Sequence, residues 1–164
     1  PVVAAAVILP VEHRIERVDD SKRLDAALRE ALAVQIKAEA VAWGVGMAEP
    51  EEIDRINILQ ATHRAMRAAL DALAVEPARV RIDGNRAPTL PWAAETVIGG
   101  DRLDRAIGAA SILAKVHRDR FMLQQHHEWP AYGWDRNKGY PTAAHKAALH
   151  AHGPSALHRR SFKW

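Results

Sequence analysis

Cysteine is absent from the 164 residues of the chain. Disulfide bonds, thiolate metal sites and a cysteine nucleophile are therefore excluded. A chain of this length suits one domain that buries roughly 70% of its unfolded surface, so neither a disulfide nor a structural metal is needed for stability. The absence of cysteine also fits a reducing compartment.

Long apolar runs are missing as well. The longest, at residues 2–9, is far shorter than the roughly 20 residues that a membrane-spanning helix requires. We therefore expect a soluble, cytoplasmic protein with no membrane partner. We also expect it to be a monomer.

The sequence lacks the short motifs that mark several common catalytic sites. It has no GxGxxG segment and no P-loop, so a nucleotide cofactor is unsupported. Its nine histidines form no HExxH arrangement, and zinc-finger spacing cannot exist without cysteine. The absence of a GxSxG elbow disfavours a serine hydrolase but leaves other serine-based triads open.

Positive charge is concentrated toward the C-terminus. The chain has a net charge of +3, but residues 131–164 alone carry +5, because six Lys or Arg side chains face one acid there. Such a basic segment suits a polyanion such as nucleic acid. A solvated C-terminal helix explains the same charge pattern.

Strand-like and helix-like segments alternate along the chain. Residues 1–9 indicate a buried strand, because no polar residue alternates through them. Strands that alternate with helices are typical of an α/β domain with a mixed sheet, and residues 1–164 are interpreted as one such domain. The other predicted strands are 41–47, 80–83 and 96–98, and helix starts are predicted at Asp25, Pro50, Asn57, about residue 103 and Thr142.

The strand at residues 41–47 has one bulky face and one small face. Ala42, Gly44 and Gly46 share the small face, which admits close approach of a neighbouring element. The helix after Asn57 is predicted to turn its larger residues inward. Those residues are Leu59, Thr62, Met66, Ala69 or Leu70, and Leu73.

Two acidic residues follow predicted strands. Asp83 ends the strand at residues 80–83, and Asp101 follows the last strand and a Gly-Gly pair. Open α/β sheets place ligand sites outside the carboxyl ends of strands, so both carboxylates are candidate ligands of a divalent cation. The alternative is that Asp83 opens a turn and Asp101 caps a helix.

Ser111 and Lys115 lie four positions apart on the helix that follows Asp101. This spacing puts the hydroxyl and the ammonium group on one stripe of the helix. The pair suits phosphate binding beside the two acids, but it is also compatible with an ordinary solvated helix face.

Seven blocks of sequence occur in the order found in one enzyme family. They are DDSKRL, EEIDRINILQAT, RIDGNR, GGD, AASILAKVHRD, NKGYPTAAH and LHRRSF. Over residues 1–162 the chain resembles ribonuclease HII, the type 2 ribonuclease H family. The resemblance implies a ribonuclease H-like fold, with a mixed sheet flanked by helices and a basic, helical C-terminal extension over about residues 130–164.

The resemblance also implies an activity. It predicts an endonuclease that cuts RNA in RNA–DNA hybrids and single ribonucleotides embedded in duplex DNA, as in ribonucleotide excision repair, and leaves 5′-phosphomonoesters. The family cofactor is Mg²⁺ or Mn²⁺, which four carboxylates bind. Asp83 and Asp101 match two of these catalytic, metal-binding residues.

Two of the four family carboxylates have no counterpart here. The family carries them in a DEAGRG-like motif on its first, central strand, which would end where PVVAAAV begins. We therefore expect an N-terminally truncated chain that lacks this strand. The alternative is a catalytically incomplete fragment that binds hybrid duplexes without cutting them, and ribonuclease HIII, which resembles these blocks less well, is a third reading.

Nine residues are implied to contact nucleic acid. Tyr140 matches the family tyrosine that stacks on the sugar at the ribose-to-deoxyribose junction. The family often has His at the position of Asn137 and Lys at that of Gly99, and the loss of that Lys removes one candidate phosphate contact. The groove residues are Ser21, Lys22, Asn57, Ser111 and Lys115, and Lys138, Arg159 and Arg160 either follow the duplex backbone or only close the domain.

Overall fold

Two pairs of strands lie among helices in the protein, a computed structural model that describes residues 1–15 and 24–163. Strand β1 (Val2–Ile8) pairs antiparallel with β2 (Ala42–Ala48). Strand β3 (Val80–Asp83) pairs parallel with β4 (Ala94–Val97), so the predicted mixed α/β architecture is confirmed. The helices are α1 (Ala26–Glu39), α2 (Pro50–Asp71), α3 (Gly100–Leu103), α4 (Arg105–Glu128), α5 (Trp134–Asn137) and α6 (Ala143–His152), with a 3₁₀ turn at Pro130–Tyr132.

Local side-chain chemistry sets several helix boundaries. Asp25 accepts a hydrogen bond from the Leu28 N–H at 2.8 Å and caps α1. Thr142 caps α6 in the same way, through the His145 N–H at 3.2 Å. Pro50 opens α2, where its missing N–H costs nothing. These three predicted starts are confirmed.

Helix α2 is interrupted at Asn57. This residue has φ 69° and ψ 163°, a backbone combination adopted mainly by glycine, so it carries local strain. Its side chain accepts a hydrogen bond from the Gln60 N–H at 3.1 Å and caps the second half of the helix. The predicted second helix start is therefore confirmed as a kink within α2.

Close packing of α2 on β2 relies on the two strand glycines. A Cβ atom on Gly46 would lie 2.1 Å from the carbonyl oxygen of Ala65, and one on Gly44 would lie 2.3 Å from that of Ala69. The predicted close approach is confirmed. The inward face was predicted only in part, because Ala61, Ala65 and Ala69 are buried while Leu59, Thr62 and Met66 are partly exposed.

The substitution Gly46→Ala tests this packing. The new methyl group would meet helix backbone, which has no rotamer to change, so we expect a loss of about 3 kcal/mol in the free energy of unfolding. Urea denaturation measures it. Trp43→Phe, on the more exposed face of the same strand, is the matched control and should cost less than about 1 kcal/mol. Equal losses in both variants would contradict a glycine-specific contact.

A groove of about 450 Å³ separates β1 from β3. Within the described part of the chain, each of these strands has a partner on one edge only. All seven residues of β1 are partly exposed, so the expectation of a buried strand was wrong, since one side of β1 borders this groove. Helices α2 and α4 supply the other walls, including Met66, Leu70, Ile107 and Ala110.

Residues 130–163 form a compact helical extension with its own apolar cluster. Met122 of α4 packs there with Tyr132, Trp134 and Leu149. The main cluster lies between α1 and α4 and includes Ile36 and Ile112 with other apolar side chains. Across residues 1–15 and 24–163, no helix combines the length and apolar character needed to cross a membrane.

Candidate functional site

The carboxyl ends of β3 and β4 bring the two predicted acids to one edge of the sheet. Asp83 is the last residue of β3, and its Oδ1 accepts a hydrogen bond from the Gly100 N–H at 2.8 Å. Asp101 directly follows Gly100 and lies in the first turn of α3. The Asp83 side chain thus ties the end of β3 to the turn that carries Asp101.

The alternative interpretation, in which Asp83 opens a turn and Asp101 caps a helix, agrees only in part with the structure. Gly84 follows Asp83 with φ 105°, so the chain bends there. Asp101 does not cap a helix, since Gly99 occupies the N-cap position of α3. Asp104 is the capping acid instead, because it accepts hydrogen bonds from the Ala106 and Ile107 N–H groups at the start of α4.

Asp104 is held as an anion beside the candidate site. Burial alone would raise its pKa, but hydrogen bonds from Arg81 and from two backbone N–H groups outweigh burial and lower the pKa of Asp104. The Arg81 guanidinium donates to Asp104 at 2.7 Å and also lies 3.5 Å from Glu95. Arg81 therefore neutralises structural acids and leaves Asp83 and Asp101 for other partners.

The donor chemistry of Asp83 and Asp101 fits a hard divalent cation, which prefers carboxylate oxygens. Two carboxylates, however, are too few to form a complete metal site. Within the residues that the structure describes, no group of three or more His, Asp or Glu side chains is arranged to hold a metal ion. The pair could therefore contribute to a metal site but needs further ligands.

Asp83, Ser111 and Lys115 all line the groove between β1 and β3. The Lys115 ammonium lies 2.6 and 2.7 Å from the two carboxylate oxygens of Asp119, one helical turn along α4. This ion pair offsets the lysine charge. Lys115 would therefore meet a phosphate as part of a paired group and not as an isolated cation.

Tyr140 presents its ring at the surface above two cations. The Lys115 Nζ lies 5.1 Å and the Arg118 Cζ 5.2 Å from the ring centroid. Arg118 also donates to the Lys138 carbonyl at 2.9 Å. Sequence interpretation missed Arg118, although its position three residues after Lys115 puts it on the same side of α4.

The predicted C-terminal contacts mostly serve the fold. Arg159 is partly buried, donates to the Pro1 carbonyl at 3.1 Å and lies over the Phe162 ring. The backbone N–H of Arg160 donates to Asp54 of α2 at 2.8 Å. The Lys138 Nζ contacts the Asp135 carbonyl. These contacts favour the alternative in which the segment closes the domain, although the Arg160 side chain is exposed.

Two predicted nucleic-acid residues, Ser21 and Lys22, lie outside the described residues. Asn57 is exposed at the kink of α2 and is absent from the lining of the groove that holds Asp83. The structure therefore brings together Asp83, Ser111 and Lys115, with Tyr140 over Lys115, and leaves Asn57 elsewhere on the surface.

Sequence comparison connects these features to known proteins. The family model described as Ribonuclease HII matches residues 1–164. The ribonuclease HII of Sphingopyxis alaskensis is 55% identical over 162 residues, which cover 99% of this chain and 81% of that protein. That of Dechloromonas aromatica is also 55% identical, with 99% and 83% coverage.

Solved structures agree on the fold. The ribonuclease H2 of Pyrococcus horikoshii OT3 superposes with a TM-score of 0.76 at 21% identity, covering 99% of this chain and 93% of that one. The ribonuclease HII in a complex with PCNA from Archaeoglobus fulgidus gives a TM-score of 0.72 at 18% identity, with 99% and 95% coverage. With the family match over its whole length, the chain belongs to the ribonuclease HII family.

Proposed function

We propose that the chain forms part of an endonuclease that cleaves RNA in RNA–DNA hybrids and single ribonucleotides in duplex DNA, leaving 5′-phosphomonoesters. Membership of its family makes it a type 2 ribonuclease H, a divalent-metal hydrolase of nucleic acid. The observation that carries the finer proposal is the pair Asp83 and Asp101 at one sheet edge, beside a groove lined by Ser111 and Lys115.

Asp83 and Asp101 are proposed as ligands of Mg²⁺ or Mn²⁺. When bound, such metals activate water and offset charge on the leaving oxygen of a phosphodiester. The hydrogen bond from the Gly100 N–H fixes one oxygen of Asp83 and leaves the other available to a cation. In this role the two carboxylates would hold and orient the metal ion, and neither would need to transfer a proton.

Substrate contacts are proposed for the groups that surround the groove. The Ser111 hydroxyl and the Lys115 ammonium are donors suited to phosphate oxygens, which carry no base information. The exposed Tyr140 ring is proposed to stack on a sugar, where the 2′-hydroxyl distinguishes RNA from DNA. Ser21, Lys22, Asn57 and Arg160 remain predicted contacts to the phosphate backbone of the duplex. Lys138 and Arg159 remain predicted contacts as well, but their charged groups contact protein carbonyls in this structure, which favours the domain-closing alternative for them.

We further propose that an extended segment fills the groove between β1 and β3 in the complete active site. Among the described residues, neither strand has a partner on the edge that borders the groove, and such edges accept an added strand through backbone hydrogen bonds. The walls include Val7, Leu70 and Ile107, which suit apolar side chains of a central strand. A DEAGRG-like segment there would supply the two further carboxylates beside Asp83.

The test compares this chain with a version that carries a DEAGRGPLAG segment joined to Pro1. The substrate is a DNA duplex with one ribonucleotide, in Mg²⁺, and an all-DNA duplex is the control. We expect the extended chain to cut only the ribonucleotide duplex, on its 5′ side, and the 164-residue chain to bind it without cutting. A folded extended chain that binds but never cuts would contradict the proposed activity.

The second candidate is a non-catalytic protein that binds hybrid duplexes. It is favoured by the absence of a three-residue metal cluster from residues 1–15 and 24–163. The same assay separates the two functions. Cleavage by the 164-residue chain itself would exclude the binding-only function, since bound duplex would then be consumed.

A further inference from the structure

Two histidines are buried side by side in the C-terminal extension. His145 of α6 is 2% exposed and His158 is 5% exposed. Their Nε2 atoms lie 3.0 Å apart, a hydrogen-bond distance. One Nε2 must therefore carry a proton and the other must accept it.

The neighbouring backbone decides which nitrogen carries each proton. The Ser155 N–H lies 3.0 Å from His158 Nδ1, and because an amide can only donate, this Nδ1 accepts. The proton of His158 is therefore on Nε2, which donates to His145 Nε2. At the other end, His145 Nδ1 lies 2.9 Å from the Tyr140 carbonyl, which can only accept, so His145 carries its proton on Nδ1.

The remaining contacts agree with this proton order. The Trp134 Nε1–H points at His145 Nε2 from 3.3 Å, which requires an acceptor there. The Ser155 hydroxyl accepts from the Leu157 N–H at 3.2 Å, and its own proton can share the single lone pair of His158 Nδ1, 2.9 Å away, with the Ser155 N–H. The Tyr132 ring, with its centroid 4.7 Å from that of His158, packs against the pair.

We infer that His145 and His158 form a proton-ordered pair that fixes the backbone of Tyr140, which makes His145 a positioning residue for the Tyr140 ring. The hydrogen bonds run in one direction, from Ser155 through both imidazoles to the Tyr140 carbonyl. The role of the ring toward a sugar rests on the proposed function. The positioning of the ring does not.

The Tyr140 segment shows why such positioning matters. Its ring is 48% exposed, so side-chain packing holds it only in part. Its backbone is held from several sides, by an N–H bond to the Asn137 carbonyl at 2.8 Å, by the Thr142 N–H at 2.8 Å and by His145. A fixed backbone restricts an exposed ring to fewer orientations and lowers the ordering cost of stacking.

The proton order is tested in the unmodified chain by ¹⁵N NMR of the imidazole nitrogens at neutral pH. We expect the Nδ1–H tautomer at His145 and the Nε2–H tautomer at His158. The reverse assignment at either residue would overturn the inference, and this measurement needs neither substrate nor metal.

Two substitutions of His145 separate its two hydrogen bonds. Asparagine places an amide near the Nδ1 position and keeps the donor to Tyr140, whereas glutamine reaches the Nε2 position and loses that donor. We expect His145→Gln to weaken binding of a hybrid duplex about fivefold, the worth of one hydrogen bond, and His145→Asn to stay within about twofold. Tyr140 ring resonances should shift in His145→Gln and keep their positions in His145→Asn.

A Tyr140→Ala background completes the test. If His145 acts through Tyr140, His145→Gln should cause no further loss of binding there, whereas additive losses would overturn the inference. Absence of duplex binding by the unmodified chain would contradict the proposed function alone, because the ring resonances still report positioning. If His145→Gln does not fold, His145→Asn and the tautomers of the unmodified chain decide the outcome.

Discussion

Replacing Asp83 by Asn in the chain extended at Pro1 is expected to lower the rate of ribonucleotide cleavage at least about 100-fold. The substitution removes the charge of a proposed metal ligand, and metal-ion catalysis contributes several kcal/mol of transition-state stabilisation. The amide is neutral and a poorer ligand for a hard cation. Its carbonyl can still accept the Gly100 N–H that Asp83 binds at 2.8 Å, so the fold should persist. Single-turnover cleavage with saturating duplex measures the effect.

The control is Asp71→Asn. Asp71 is an exposed acid at the end of α2 that lies 3.7 Å from Arg67 in a surface ion pair. The substitution makes the same change of charge away from the candidate site, and cleavage should stay within about twofold because surface pairs contribute little. Duplex affinity should be retained in both variants. Full cleavage by Asp83→Asn would remove Asp83 from the metal-ligand assignment.

Helix starts were predictable from sequence because their causes are local. The capping oxygens of Asp25 and Thr142 each bind an N–H three residues along the chain, and Pro50 restricts its own φ. Asn57 was predictable for the same reason, since its side chain accepts a hydrogen bond from the Gln60 N–H and caps the second half of α2. Its φ of 69°, however, was not predicted, because residues other than glycine rarely adopt a positive φ.

Packing between helices and strands was predictable from sequence only where the size of a single side chain decides it. The alternation of large and small residues correctly predicted the small face of β2. The inward face of α2, however, was predicted from the size of its apolar residues, and this criterion was only partly correct. The two glycines admit the backbone of Ala65 and Ala69, with only the small Cβ atoms of Ala68 and Ala72 beside them, and the larger Met66 lies beside the groove. Likewise, the sequence placed Asp83 and Asp101 after strand ends, but it could not show the hydrogen bond that the Gly100 N–H donates to Asp83, 17 positions away.

The pairing of His145 with His158 could not be predicted from sequence, for a different reason. Composition and spacing argued against a histidine metal site, and the sequence offered no other reason to single out His145 or His158. Their pairing depends on a loop that returns Ser155 and His158 to α6, and on a backbone N–H whose direction fixes one tautomer. Only the folded chain contains that information.

Acid is expected to destabilise the protein through His158. Burial, and then the neighbouring His145, lower the pKa of His158 from its ordinary 6.5 to about 4. Between these values the unfolded chain binds more protons than the folded chain, so the free energy of unfolding falls as the pH falls. The contribution is fully present above about pH 6.5, and a shift of this size corresponds to a loss of up to about 3 kcal/mol near pH 4. Protonating Nδ1 would also set a donor against the Ser155 N–H.

Urea denaturation of the unmodified chain and of His158→Gln at several pH values between 7 and 4 isolates this contribution. His117, whose pKa burial also lowers, acts with the same sign. It remains in the variant, so the difference in slope belongs to His158 and the network it completes. We expect the variant to be less stable at pH 7, because the Ser155 N–H loses its acceptor, but to lose less stability on acidification. Parallel pH profiles would show that His158 does not enter the folded state as the neutral partner of His145.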